Sequence, residues 1–131
     1  MKRHKKFFSV ADAASRTSTH PRAHIAAVIT KKNTIIAIGV NSEKSHPKQM
    51  RHNAKRGFNV DIHHGLHAEI AALLKTNEDL TGASVYVYRR NKAGNTANCR
   101  PCAACADALR ERGVQHIHYT TELGLMYEEW C

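Results

Sequence analysis

The sequence is poor in acidic residues, in aromatics and in long apolar runs. Its 131 residues hold eleven Asp or Glu against twenty Lys or Arg, a formal charge of +9, and only 6% are Phe, Trp or Tyr. No apolar run approaches the roughly 20 residues that a helix needs to cross a bilayer. In the basic segment 1–15 the apolar stretch is only Phe7-Phe8-Ser9-Val10-Ala11, which is too short and broken for the apolar part of a secretory signal. These absences point to a cytoplasmic protein without membrane contact. Repeats and low-complexity linkers are also missing. With 42% hydrophobic residues in short groups, a wholly disordered chain is excluded. The length fits one domain over residues 1–131.

What the chain does have is clustered. Cys99, Cys102 and Cys105 fall within seven residues, and Cys131 ends the sequence. A disulfide framework spreads its cysteines to join distant segments. This cluster fits a metal site in a reducing compartment instead. Lys2, Arg3, Lys5 and Lys6 form one basic group, and Lys44, Lys48, Arg51, Lys55 and Arg56 form another. Either group would attract phosphates on a nucleotide or a nucleic acid; either also serves as a solvated surface.

Periodicity sets the expected elements. Phe7, Phe8, Ala11 and Ala14 share a helical face over 7–17, and His20-Pro21 breaks it. Residues 24–30 and 34–40 read as strands of a hairpin around Lys31-Lys32-Asn33. Residues 42–66 read as a long loop with one helical turn near 48–56, and loops of this length are often functional. A helix is expected over 68–76, a strand over 84–90 and a polar loop over 91–100. A second helix fits 102–112, with Pro101 before it and Gly113 after it. A strand over 114–120 follows, then a weaker strand or tail over 124–130. Strand–helix–strand units from Ser84 onward favour parallel pairing with a right-handed crossover. The order predicts a mixed sheet with helices on both faces.

Two segments carry the chemistry, each opening a predicted helix: His67-Ala68-Glu69 and Pro101-Cys102-Ala103-Ala104-Cys105. Cys102 and Cys105 are three apart, so their sulfurs face one way on a helical turn. With His67 they offer zinc one imidazole nitrogen and two thiolates, leaving a fourth tetrahedral position for water. Glu69 lies two residues beyond His67, placed to move protons beside the metal without binding it. The pattern H-x-E…P-C-x-x-C is the signature of zinc deaminases.

On these residues the chain resembles the cytidine/deoxycytidylate deaminase superfamily. Gly39-Val40-Asn41, Leu66-His67-Ala68-Glu69-Ile70 and Arg100-Pro101-Cys102-Ala103-Ala104-Cys105 carry the resemblance. Gly113-Val114 with Ile117 and Tyr119 looks like the strand after the cysteine helix. Among the branches, 41–47 and 119–129 look like small nucleotide-deaminase-like proteins of phages and bacteria. The 25 residues between Asn41 and His67 exceed what compact tRNA-type deaminases carry there.

The resemblance implies an α/β fold of three layers, α/β/α, around a five-stranded mixed sheet. It implies zinc held by His67, Cys102 and Cys105, with Glu69 as the catalytic proton shuttle. Asn41, the backbone N–H of Ala68 and the carbonyl near Pro101 would contact substrate, and the chain would be a homo-oligomer. The expected reaction is hydrolytic deamination of a cytosine nucleoside or nucleotide, dCMP or cytidine in type, by zinc hydroxide attacking C4.

Other readings stay open in the sequence. Cys99 with Cys102, Cys105 and His67 would make a closed four-ligand site, leaving a basic zinc-stabilised module that binds nucleic acid without catalysis. Within the enzyme reading, the base could lie in single-stranded DNA or RNA, or be a purine. Asn41 also suits a turn that ends a strand. His46, His52, His63 and His64 read as loop histidines before a second metal site. Tyr86, Tyr88, Tyr119 and Tyr127 read as sheet packing before base stacking, with Phe58 a further stacking candidate.

Overall fold

In the computed structural model, residues 2–20, 23–43, 47–55, 65–91, 93 and 95–130 are described, with backbone alone at 2, 3, 48, 52, 53 and 55. The central strand explains the layers. Residues 24–30 are apolar without polar alternation, and β1 (His24–Lys31) is covered on both faces. Ala26 and Val28 point to one side, among Phe7, Phe8 and Tyr86. Ala27 and Ile29 point to the other, into the larger core with Ile70, Val85, Leu109 and Ile117. A strand buried on two faces has no solvent side on which to place polar residues.

β2 (Thr34–Val40) pairs antiparallel with β1. The turn between them puts Lys32 and Asn33 at φ 53° and 65°, the left-handed pair whose twist matches a tight hairpin. β3 (Ser84–Arg90) lies on the other side of β1, antiparallel to it. β4 (His116–Thr121) runs parallel to β3, and β5 (Gly124–Glu129) returns antiparallel to β4. The five-stranded sheet has the order β2-β1-β3-β4-β5. α1 (Lys2–Ser15) covers one face, while α3 (Ala68–Leu74) and α4 (Ala103–Glu111) cover the other, with α2 (Pro47–Lys55) against α4. The three-layer α/β/α expectation is therefore met. Among the described residues no helix is long and apolar enough to cross a membrane.

Several limits shift by one or two residues, and three elements differ more from the sequence expectation. α1 starts at Lys2, five residues early. Its basic first turns form good helix, and His4 packs on Tyr86 and His118, with a 2.6 Å hydrogen bond to the Tyr86 hydroxyl. It also ends well before Pro21, where the Ser15 and Thr17 hydroxyls donate to the carbonyls of Asp12 and Ala14. The expected turn near 48–56 is a nine-residue helix, α2, with Pro47 in its first position, where proline is well accepted. The weak strand at the C-terminal end is a full edge strand, β5.

β5 is held from its inner face. Glu128 accepts from the Arg100 guanidinium on both oxygens, one bond measuring 3.0 Å, and from the Tyr119 hydroxyl at 2.8 Å. Trp130 lies under the Arg110 guanidinium, 4.4 Å from carbon to ring centre. Arg100 brings the Glu128 pKa from 4.5 to about 2. A depressed carboxyl pKa adds stability above its unfolded value, and that stability is lost as pH falls through the folded value. Glu128→Gln should therefore lower thermal stability at neutral pH by no more than about 1 kcal/mol, since the pair is part-exposed. The difference from wild type should shrink as pH drops from about 4.5 toward 2, as read by melting curves across that range.

Gly39 fixes how deep α3 sits. A Cβ there would overlap the backbone of Ala68 and Ala72, so at this position β2 meets the backbone of α3 directly. Gly39→Ala should destabilise by about 1–3 kcal/mol or more through overpacking, measured by urea unfolding. It should also loosen metal binding, because the first residue of α3 adjoins His67.

Candidate active site

Two helices begin at one place beneath the sheet. His67 is the N-cap of α3, at φ −79° and ψ 151°, and Cys102 is the N-cap of α4, at φ −66° and ψ 168°. Both stand where extended chain turns into helix. Cys105 lies in the first turn of α4 and is fully buried. His67 Nδ1 is 3.2 Å from Cys105 Sγ and 3.6 Å from Cys102 Sγ. The three ligand atoms lie within 4.8 Å of one another. A tetrahedral zinc would hold imidazole nitrogen and thiolate sulfur about 3.5 Å apart, so the spacing suits that ion, with a fourth position left over.

The protonation pattern also suits a cation. A hydrogen bond from Cys105 brings the Cys102 pKa down to about 4 against the effect of burial. The same bond, with burial, pushes Cys105 well up. The two thiols thus share one proton. His67 is raised first by its hydrogen bond to Cys102, with burial opposing. A thiolate beside an imidazole nitrogen is a donor set that suits a soft divalent metal.

Glu69 sits in the first turn of α3 with 6% of its surface exposed. Burial pushes its carboxyl pKa up, with nearby His67 opposing. It lies outside the His67–Cys102–Cys105 cluster but lines the same cleft. The cleft has a volume of about 380 Å³ and is lined also by Asn41, Ala68 and Arg89. That size is within the range of small-ligand sites.

Asn41 is less available than the sequence suggests. Its Oδ1 accepts from the Ile25 N–H and the Ser18 hydroxyl, and its Nδ2 donates to the Ala23 carbonyl at 2.8 Å. It therefore locks the end of β2 to Ser18, Ala23 and Ile25, and these bonds use one of its two amide protons. Pro101 is buried and, unlike Arg100, does not line the cleft. Cys99 is turned away from the cluster: its thiol meets the Val87 carbonyl and the Thr120 hydroxyl, both at 3.1 Å. Burial raises it to about 12, so it stays a thiol. The closed four-ligand arrangement is not formed.

None of the four tyrosines lines the cleft. Tyr86 and Tyr119 are buried in the two cores, as sheet packing requires. Lys5 and Lys6 are exposed on α1, on the face away from the cluster, and Arg51 is exposed on α2. Lys44, His46, Arg56, Phe58, His63, His64 and Cys131 lie outside the described residues, as do the side chains of Lys2, Arg3, Lys48, His52 and Lys55.

Two cleft-region residues escape sequence reasoning. Gln49 of α2 is fully buried and accepts the His67 N–H at 3.1 Å; a lone Gln in a polar stretch gives no pattern. Arg89 reads as the end of a strand, yet it faces the cleft on the same side of β3 as Val85 and Val87. Strand alternation could have placed it there once the buried face was known.

The family model of the cytidine and deoxycytidylate deaminase zinc-binding region matches residues 1–121. The chain belongs to that family. An uncharacterized deaminase in the luxG 3' region of Aliivibrio fischeri is 25% identical over 126 residues, covering 96% of this chain and 78% of that one. The dCMP deaminase of cyanophage S-TIM5 superposes with a TM-score of 0.64 at 22% identity, over 90% of this chain and 82% of the other. That enzyme has also been solved with dCMP and dUMP. Cytidine deaminase from Burkholderia pseudomallei gives 0.61 at 15% identity, over 96% and 91%. A deaminase-type enzyme with a zinc-compatible His/Cys/Cys cluster follows from the family and the geometry together.

If Cys99 is a packing residue, Cys99→Ala should keep the wild-type zinc content after dialysis, while Cys102→Ala should lose most of it. Elemental analysis of the purified variants decides between them.

Proposed function

We propose that this chain is a zinc-dependent hydrolase that deaminates a cytosine nucleotide, with dCMP as the substrate class the cleft suits best. The observation that carries the reading is Glu69, a buried carboxyl of raised pKa on the cleft wall beside a metal-ready His/Cys/Cys set. A carboxyl whose pKa burial raises holds a proton more readily than an exposed one, which suits a group that takes a proton and returns it.

When held by His67, Cys102 and Cys105, zinc supplies a Lewis acid that readies water for attack on C4 of the ring. Glu69 accepts one proton from the attacking water and delivers it to N3, then takes the remaining hydroxyl proton and passes it to the amino group as the C4–N bond breaks. Water is consumed, and the corresponding uracil nucleotide and ammonia are the products. The Ala68 N–H is a first-turn donor with no partner inside its own helix, and it would meet the pyrimidine edge with the carbonyl near Pro101. The second amide proton of Asn41 would reach the sugar.

Arg89 supports a phosphorylated substrate. Its Nη1 donates to the Asn98 carbonyl at 3.3 Å, and its buried Nε has no hydrogen-bond partner among the described residues. Arg100, which also lines the cleft, is already paired with Glu128. The phosphate contact is thus assigned to Arg89 at the end of β3 rather than to the basic group at 44–56.

Ammonia release by zinc-loaded protein across cytidine, deoxycytidine, CMP, dCMP, cytosine, adenosine, guanine and a cytosine-containing single strand tests the substrate class. dCMP should be the strong hit, and equal or better turnover of the strand would overturn the reading. Glu69→Ala should reduce kcat at least about 100-fold with zinc content unchanged. Arg89→Ala should raise the dCMP KM by about tenfold or more, the effect of one charge-assisted hydrogen bond, and leave deoxycytidine kinetics unchanged.

A further inference from the structure

The chemistry proposed above makes no use of Gln49, although this residue touches two of the three metal-binding positions. It lies on α2, the helix inserted between β2 and α3, and its side chain is fully buried. A buried carboxamide is costly unless both of its ends are bonded. The His67 backbone N–H can only donate, so the atom it meets at 3.1 Å is the Gln49 oxygen. That choice fixes the amide flip and directs the NH₂ end elsewhere. The other end hydrogen-bonds the Cys105 sulfur, which is a thiolate acceptor once a metal is bound.

We propose that Gln49 is a positioning residue for the metal, its single carboxamide anchoring the His67 backbone and donating N–H to the Cys105 thiolate. The inference rests on the reading that His67, Cys102 and Cys105 hold zinc. The amide bridges α2 and the starts of α3 and α4, so it sets the distance between two ligands from separate helices. The N–H···S bond also withdraws electron density from the sulfur. A thiolate that donates less leaves the metal a stronger Lewis acid, which is how partners behind the ligands tune a site. No other side-chain type of this length offers an acceptor at one end and a neutral donor at the other. Glutamate would turn a second negative charge on the sulfur, and methionine would offer neither bond.

The deciding experiment uses the full chain loaded with an NMR-active cadmium isotope. Coupling should appear from cadmium to the β-protons of Cys102 and Cys105, and through the N–H···S bond to the Gln49 side-chain amide protons. Cysteine couplings without one to Gln49 would overturn this proposal alone. Absence of all cysteine couplings would overturn it together with the metal reading, so the two failures are distinguishable without any substrate. In Gln49→Met, zinc affinity by chelator competition should fall about 10–100-fold. The thiolate-to-metal charge-transfer band of the cobalt-loaded variant should move to lower energy. A folded Gln49→Met with wild-type affinity and an unshifted band would refute the role. Should that variant not fold, the wild-type cadmium measurement decides alone.

Discussion

The structure depends on holding two helix starts together at one point under the sheet. His67 and Cys102 are 35 residues apart in the chain, and β3 with its following loop lies between them. Their helices are fastened at both ends. At the far end, Arg112 donates to the carbonyls of Leu73, Thr76 and Glu78, placing a cation where the dipole of α3 is negative. At the near end, the sulfurs and imidazole meet one another, and α2 closes over them. Gly39 sets the distance of α3 from the sheet. The sheet itself thus acts mainly as a rigid reference against which ligand spacing is kept.

Burying polar chemistry at that point has a cost, and the surrounding residues offset it. Asn41, Gln49 and Glu69 are all buried polar groups, and Asn41 and Gln49 bind backbone with their side chains. Asn41 secures the strand end and the segment leading into β1. Cys99, in the wall of the cleft, and Thr120 satisfy each other. The cleft is therefore formed by groups whose hydrogen bonds are mostly committed to the fold. Glu69 and Arg89 are the exceptions in chemical character: one is a carboxyl whose pKa burial raises, the other a guanidinium whose Nε has no hydrogen-bond partner among the described residues.

How much of this could be read from the sequence follows from how local each signal is. β2 and β3 match their expected limits, and β1 extends one residue further, because β-branched runs between turns are local patterns. The His-x-Glu and Pro-Cys-x-x-Cys segments are legible because the metal demands residue types at fixed spacing. Local periodicity makes α1 too short because the contact that orders its first turns, His4 on Tyr86, spans 82 residues. α2 has little apolar periodicity because its buried face rests on Gln49, a polar residue. The commitments of Asn41 and the outlook of Arg89 became visible only once neighbouring strands were in register.

The interface between sheet and helices is lined by small side chains. Ala27 and Ala37 on the strands face Ala68 and Ala72 on α3, and Ala104 and Ala108 bury the inner side of α4. Tolerance to amino-acid change here is consequently one-sided. Trimming a large residue elsewhere leaves a void that neighbours partly fill, but there is nothing to trim at these alanines. Added methyl groups would push whole helices outward, and the ligand atoms with them. The conversions to watch in natural variants are Ala→Val and Ala→Thr at these positions, where a gain in volume rather than its loss would separate the two halves of the site.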